Sequence, residues 1–421
     1  MLIKAEDLHT RYGENAAEEI PATKSTQKLA DEYDRLPLWQ RLNWPHVFLL
    51  VLSPIFAAYG SLTTKIVPST VLIAIIYGNL TGIGITGGYH RYWAHRSYKA
   101  SPFLRIFLML MGSSAVQGSI LWWVRDHRVH HRNTDTEKDP YNAKKGLLFS
   151  HVGWMYRMGH TDCTDLLNDR LYKYYVPLSI TMSLIFPALL VWLINGDHRG
   201  GWFYAGFFKM VCVHHSTFCI NSLGHWLGDD LYDDEHTPRD HLITAFVALG
   251  EGGHSLHHQF PQDYRNGIRK YDWDPTKWFI NCMYKLGQAF SLRMFSDEEF
   301  EKVKLVVQEK KNALMRQQLN WGVPIEQLPK YSMRQVEMES ASNGSRKLIV
   351  VDGIVLDVTG FMEEHPGGSK LLKNVIGKDA SAAVGGSMYK HSNAARNIMS
   401  HLRVGVISDD DQSQRDEAIS F

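Results

Sequence analysis

Three histidines, His127, His130 and His131, fall within the stretch WWVRDHRVHH (122–131), flanked by Arg125, Arg128 and Arg132. An imidazole ligates metal only as the neutral ring, and neighbouring positive charge pushes its pKa towards that form. Alone, an HxxHH run is equally well a basic, solvated face. It is not alone: HRYWAH (90–95) lies upstream, and HSLHH (254–258) repeats the HxxHH spacing downstream. Helix positions i, i+3 and i+4 share one face, so His127 with His130 and His131, and His254 with His257 and His258, each offer converging ring nitrogens. His90 and His95 would stand about 140° apart on a straight α-helix. A helix end or bend is therefore expected at that box.

These boxes need a scaffold, and composition indicates what kind. A chain of 421 residues holds two or three domains. Its net charge of +1 argues against a nucleic-acid partner, since no one sign dominates. The 12 tryptophans and 19 tyrosines suit membrane interfaces. Cys163, Cys212, Cys219 and Cys282 form no CxxC pair and no disulfide ladder, which fits a reducing compartment and excludes a thiolate metal site. Residues 1–35 are polar and charged, unlike a secretory signal, and read as a loosely ordered tail.

Hydropathy gives four candidate membrane spans, near 46–64, 69–89, 174–194 and 202–223, each close to the ~20 residues a bilayer requires. A run at 103–111 is too short to cross and is expected in the interface. The segment from Arg91 to Lys173 carries about thirteen Lys and Arg residues, against one in each of the two other short loops, Lys65 and Arg199. By the positive-inside rule this segment, both termini and all three boxes face the cytosol. Lys209 sits inside the fourth span and is expected to snorkel outward. His214 and His215 lie deeper and read as packing residues.

The fourth span ends in NSLGH, which delivers His225 to the cytosolic mouth one turn after Asn221. The set becomes His90, His95, His127, His130, His131, His225, His254, His257 and His258. Nine neutral ligands exceed what one ion takes, so two first-row metals are implied, and imidazole alone does not choose between Zn, Cu, Fe and Ni.

The C-terminal stretch LDVTGFMEEHPGG followed by HSNAARNIM resembles a cytochrome b5 domain over roughly residues 329–409. The resemblance implies a haem b with His365 and His391 as axial ligands. The family's usual tryptophan is absent before Leu348, and the interval between the two histidines is slightly long. Gly367 and Gly368 permit a tight turn that aims His365 inward, and Phe361, Leu371, Leu372, Ile398 and Leu402 can wall an apolar pocket.

The first 295 residues resemble the membrane acyl-CoA desaturases of the stearoyl-CoA type, through GYHRYWAHRSYKA, WVRDHRVHHRNTDTEKDPYN, GLLFSHVGW, NSLGH and GEGGHSLHHQFPQDYRNG in that order. A C-terminal b5 fusion is similar to the fungal delta-9 enzymes. Front-end desaturases carry the fusion at the N-terminus and usually replace the first histidine of the third box, whereas His254 is intact here. The resemblance implies a di-iron centre that uses O2, Asn221 holding a metal through water, and electrons from NADH through a cytochrome b5 reductase and the fused haem. It implies an acyl-CoA substrate, palmitoyl- or stearoyl-CoA, and an endoplasmic reticulum membrane. Arg125 and Asp126 match positions near the pantetheine entrance, while Lys144, Lys145 and Arg157 are further cations for the coenzyme A phosphates. The family's usual basic pair after Trp154 reads Met158 and Gly159 here. Asp126, Asp135 and Asp139 are expected to form hydrogen bonds or ion pairs rather than to ligate metal. In the family the acyl tunnel bends near residues matching Trp123 and Thr217, and Gly78, Gly82 and Thr86 leave space along the helix before His90, or let helices pack closely.

The expected fold is mainly α: a four-helix transmembrane desaturase with a cytosolic helical di-iron cap, then a small α+β cytochrome b5 domain. Its parts are a polar tail (1–35), the membrane domain (36–295), a charged helical linker (296–328) opened by a capping box of Ser296 and Glu299, the haem domain (329–409) and an acidic tail (410–421). Two rival readings remain. A membrane di-iron fatty-acyl hydroxylase would show different box spacing, and a membrane-anchored b5 electron carrier would hold structural zinc instead of iron. Chain-length preference and oligomeric state, a homodimer included, are left open by the sequence.

Overall fold

The computed structural model describes residues 44–156, 174–341, 346–386 and 390–408, with Pro37 and Leu42. The N-terminal tail, the acidic tail and Arg157, Met158 and Gly159 lie outside the described residues. The chain divides into two compact units, one ending at Gln308 and the other beginning at Glu309.

The first unit is helical. Helix α1 is Trp44–Thr63 and α2 is Pro68–Ala94, α-helical to Ile83 and π-helical over Gly84–Ala94. Helix α3 (Pro102–Ser113) is capped by the Ser101 hydroxyl, which accepts from Leu104 N–H, and α4 (Ile120–Asn133) by Ser119, which accepts from Trp122 N–H. Helix α5 is Tyr175–Asn195. Helix α6 joins a π-helical segment, Gly201–Phe208, to an α-helical one, Lys209–Asn221. Among the described residues α1, α2 and α5 are long and apolar enough to cross a membrane. Helix α6, on the fourth expected span, is not in that group because Lys209, His214 and His215 dilute its apolar run. The run at 103–111 forms α3, a short apolar helix.

Lys209 departs from expectation. Instead of snorkelling it points inward: its ammonium donates to the Ser114 hydroxyl at 3.0 Å and carbonyl at 3.3 Å, and lies 5.0 Å from the centre of the Tyr77 ring. A buried ammonium persists only where acceptors replace its water, and here they come from the neighbouring helices. His214 donates from Nε2 to the Ala115 carbonyl at 2.7 Å, a packing role, while His215 lies 3.0 Å from His151.

Backbone contact joins α2 to α3. A Cβ on Gly84 would stand 2.2 Å from Gly112 N, so the helices meet where neither has a side chain. Around that contact Tyr89, Trp93, Leu104, Leu108, Val124, Val213 and Ile280 form the core. The rest of the unit contains α7 (Leu242–Val247), α8 (His254–Gln259) and α9 (Pro275–Lys285), the last capped by Asp274. A two-stranded antiparallel pair, β1 (Lys99–Ala100) with β2 (Ala289–Phe290), ties the loop after the first box to the end of α9. Helix α10 (Asp297–Gln318) follows, opened by the Ser296 hydroxyl accepting from Glu299 N–H at 3.3 Å and lined by Lys302–Glu298 and Lys304–Glu301 ion pairs.

The second unit holds α11 (Met333–Ala341) and a four-stranded sheet in the order β3 (Lys330–Tyr331), β6 (Arg403–Ile407), β5 (Ile354–Asp357), β4 (Leu348–Val351). Strands β4 and β5 form a hairpin across Asp352 and Gly353, both with positive φ, which the two-residue mirror-image turn requires. Helices α12 (Ser369–Val375), α13 (Ser381–Gly385) and α14 (Asn393–His401) complete it. Ile349, Leu356, Met362, Leu372 and Val384 form a core that Phe361 and Leu402 flank. Leu371 and Ile398, the other two residues expected to wall a pocket, are roughly half exposed.

Candidate metal centre

The three boxes converge, but not one box to one ion. Potential ligand atoms of His90, His95, His127, His131 and His257 lie within 4.8 Å of one another, and those of His130, His225, His254 and His258 form a second such group. Each HxxHH helix therefore serves both groups. Helix α4 gives His127 and His131 to the first and His130 to the second, while α8 gives His254 and His258 to the second and His257 to the first. The reason is angular: i and i+4 differ by about 40° around a helix, whereas i+3 falls on the other side by about 60°. The expectation that each box converges as a unit is corrected accordingly.

The π-helical segment solves the problem of the first box. His95 N–H donates to the His90 carbonyl at 3.1 Å, an i→i−5 bond that brings residues five apart onto one face. His95 caps that helix, and the two rings lie 4.8 Å apart, so the expected helix end is also a change of helical pitch.

Each ring is oriented from behind. His90 Nδ1 lies 3.0 Å from Glu251, and His130 Nδ1 lies 2.9 Å from Asp139. Carboxylates only accept, so both histidines donate from Nδ1 and present a bare Nε2. His225 Nδ1 donates to the Thr237 hydroxyl at 2.9 Å, whose own proton goes to Asp135. The Tyr141 hydroxyl stands 3.2 Å from His127 Nδ1. Glu251 also receives the Arg91 guanidinium at 2.8 Å, and Arg91 binds Asp274, the α9 cap, with both terminal nitrogens at 3.0 Å. Burial pushes the Glu251 carboxyl up, yet Arg91 and His90 outweigh it and hold the group at about 2. Glu251, Asp274, Thr237 and Tyr141 escape the sequence reading. Only Glu251 carries a local signal, an acid enclosed by glycines three residues before His254.

The residues fit metal. Nε2–Nε2 separations are 2.8 Å for His95–His127, 2.9 Å for His90–His257, 3.0 Å for His131–His257 and 3.1 Å for His127–His131. In the second group they are 3.0 Å for His225–His254 and 3.2 Å for His130–His258. Nitrogens bound at ~2.0–2.1 Å to one ion stand roughly 3 Å apart, whereas bare lone pairs at that separation repel. Burial, and then the neighbouring rings, push His95, His127, His131, His225, His254, His257 and His258 well below the usual histidine range, so the rings are neutral donors.

Two cavities lie in the same unit as the histidines. One of about 30 Å³ is lined by Trp123, Asp126, Tyr141, Thr217 and Asn221, roomy enough for a water. Trp123 stacks on His127 at 4.8 Å, and Asp126 is paired with Arg125 at 2.7 Å. The other, about 390 Å³ and almost wholly apolar, is lined by Gly78, Gly82, Thr86, Val213, Thr217 and Leu249 among others. Thr217 borders both. Lys144 and Lys145 are engaged with Asp135 and Glu137 respectively.

In the second unit, His365 Nδ1 donates to the Gly368 carbonyl at 3.2 Å and His391 Nδ1 to the Val384 carbonyl at 3.3 Å. In the neutral ring this bond leaves Nε2 as the free nitrogen, the tautomer an axial ligand takes. A Cβ on Gly367 would stand 2.9 Å from the His365 ring, so that glycine makes room for it. The donor set fits haem iron.

Apolar helices carrying paired histidine clusters, followed in the chain by a small haem-type unit, define an integral membrane metallo-oxidoreductase. Residues 65–274 match the fatty acid desaturase family and residues 332–408 the cytochrome b5-like heme/steroid binding domain. A probable acyl-CoA desaturase of Schizosaccharomyces pombe is 48% identical over 88% of this chain and 78% of its own. Acyl-CoA desaturase 1 of Saccharomyces cerevisiae is 40% identical over 89% and 75%, and the delta(9)-fatty-acid desaturase fat-6 of Caenorhabditis elegans 36% over 64% and 85%. The chain belongs to the fatty acid desaturase family, among the acyl-CoA desaturases, and carries a C-terminal cytochrome b5 domain. It is an enzyme, an oxidoreductase of lipid metabolism; the family implies iron and the b5 domain implies haem.

Proposed function

We propose that the chain is an O2-dependent acyl-CoA delta-9 desaturase that inserts a cis double bond into palmitoyl- or stearoyl-CoA, with electrons from NADH passing through a cytochrome b5 reductase and the b5 haem. The observation that carries this reading is Thr217, shared by the apolar cavity and the small cavity on which Trp123, Asp126 and Asn221 converge, Trp123 stacking on His127. A saturated chain has no polar handle. Only an apolar sleeve of fixed length and bend can choose which methylene meets the oxidant.

Two histidine groups, His90, His95, His127, His131 and His257 in one and His130, His225, His254 and His258 in the other, would hold iron, which would supply the capacity to oxidise unactivated C–H bonds with O2. Two hydrogens leave the substrate, and two electrons with two protons arrive from outside, so that O2 is reduced to two waters. The protein's residues do the rest. Glu251, Asp139 and Thr237 hold His90, His130 and His225 in the tautomer that leaves Nε2 bare. Trp123 walls the reacting methylenes off from the cytosol, and Asn221 orients a water beside the four-histidine group. Arg125 and Asp126 meet the polar end of the substrate where it leaves the sleeve. Four helices, α1, α2, α5 and α6, span the endoplasmic reticulum membrane, with the basic segment Arg91–Lys173 and both termini in the cytosol. The buried, acceptor-rich surroundings of Lys209 support this assignment of α6.

The deciding assay combines purified full-length protein, NADH, a b5 reductase and stearoyl-CoA, with the product mapped by mass spectrometry. A monoene with its double bond between carbons 9 and 10 is expected. A hydroxylated chain would favour the hydroxylase reading, and haem with zinc in place of non-haem iron would favour the electron carrier.

A further inference from the structure

We infer that His151 and His215 form a third metal site, separate from the two histidine groups, which takes an exchangeable divalent cation of the zinc class. His215 stands on α6 and is exposed, and His151 ends a short helix, Leu147–His151, inside the basic segment Arg91–Lys173. His151 Nε2 lies 3.0 Å from His215 Nδ1. Ring nitrogens within the two groups above are 2.8 to 3.2 Å apart. The new pair falls inside that range, and two imidazoles bound at ~2.0–2.1 Å to one tetrahedral ion require such a separation.

His151 is oriented from behind, as the iron ligands are. The Ser222 hydroxyl donates its single proton to the Phe218 carbonyl at 2.8 Å, so towards His151 Nδ1, 2.9 Å away, it can only accept. His151 therefore carries its proton on Nδ1 and aims a bare Nε2 at His215. Burial, and then the facing ring, push His151 below the usual histidine range, towards the neutral form that ligates metal. Without an ion, His215 Nδ1–H donates to that Nε2. With one, the ion takes the place of the shared proton and His215 carries its own on Nε2. His214, the preceding residue, donates to the Ala115 carbonyl and stays out of the pair.

Among the described residues no further His, Cys, Asp or Glu joins the two rings to make a group of three. Water must complete the coordination, so the ion exchanges with the surroundings. Two neutral imidazoles suit zinc and its neighbours, whereas magnesium and calcium demand oxygen. The site also has a mechanical meaning. The Phe218 ring lies 5.6 Å from His151 and 5.9 Å from His215, and it lines the small cavity with Asn221, Trp154 and Met155. An ion shared by the two rings ties α6 to the segment that carries Trp154, two walls of that cavity.

The test uses full-length wild type, His151→Ala, His215→Ala and His215→Gln, with His214→Ala as the control, each purified with its iron and dialysed to equilibrium against zinc chloride. Bound zinc and iron are measured by mass spectrometry, and haem absorbance reports folding. Wild type and the control are expected to hold about one zinc per chain more than the other three at equal iron content, because a lone imidazole leaves too few ligands. His215→Gln keeps an N–H for His151 but loses the ring nitrogen, so it separates metal binding from the hydrogen bond. Equal zinc in wild type and His215→Gln overturns the inference, as does a wild type that takes up zinc only in exchange for lost iron. If His151→Ala fails to fold, the two His215 variants still decide.

Discussion

At the scale of residues each of the two histidine groups can be tested by loss of one ring. Because His257 belongs to the five-ligand group and His130 to the four-ligand group, His257→Ala and His130→Ala should each abolish turnover and lower bound iron. His214→Ala, whose ring donates to the Ala115 carbonyl and stacks on Phe218, should retain most of both; iron assay on purified variants checks this, and an inactive but folded His214→Ala protein would overturn the packing role. Glu251→Gln removes one of the two carboxylates on the buried Arg91, and because Asp274 still pairs with the guanidinium the cost is expected to stay below the roughly 3–5 kcal/mol of a buried charge left with no partner. Lower denaturation temperature and weaker iron retention are both expected. Asp240 supplies a pH test. Burial, with Asp229 nearby, lifts its carboxyl to about 7 despite the Ser255 and Leu256 N–H groups that donate to it. The folded state then keeps a proton that the unfolded chain releases near 3.8. Stability should fall as pH rises from about 3.8 to 7 and level off above. Melting curves of wild type and Asp240→Asn across pH 5–8 check it: the variant should lose that part of the slope.

Elements explain why some of this was readable and some was not. The HxxHH boxes are periodic, and their helices, α4 and α8, follow from spacing alone. The partition of each box between two groups does not, because it depends on how the helices face each other. Likewise His90 and His95 signal a departure from the α-helix without saying that the departure is an i→i−5 pitch. Arg91, Glu251 and Asp274 are far apart in sequence, and each is an ordinary surface residue until the fold buries all three. The contact between α2 and α3 gives a sharper test. Gly84→Ala would drive a Cβ into the Gly112 backbone, which cannot yield, and overpacking of this kind costs about 1–3 kcal/mol. Gly78→Ala faces only the flexible Lys209 stem and should be mild. Thermal unfolding in detergent, with iron content as a second readout, separates the two.

Across the whole molecule, the haem unit and the histidine groups are separable by mutation. His365→Ala or His391→Ala should abolish the b-type absorbance and NADH-driven turnover while non-haem iron stays bound; full activity in such a variant without added b5 would refute the electron route. Three of the four expected spans and the b5 unit were legible because apolar length and the HPGG turn are local features. The inward course of Lys209 was not, because only the neighbouring helices show that acceptors await it.

The interleaving of the boxes has a consequence for how the enzyme is made. Helices α4 and α8 each reach into both histidine groups, so an ion captured by one group immobilises the very helices on which the other depends. Loading is therefore expected to be cooperative, with a chain short of iron existing as full and empty populations rather than as half-filled molecules. In a cell starved of iron, desaturation capacity would then decline by the number of working copies while each surviving copy kept its full rate.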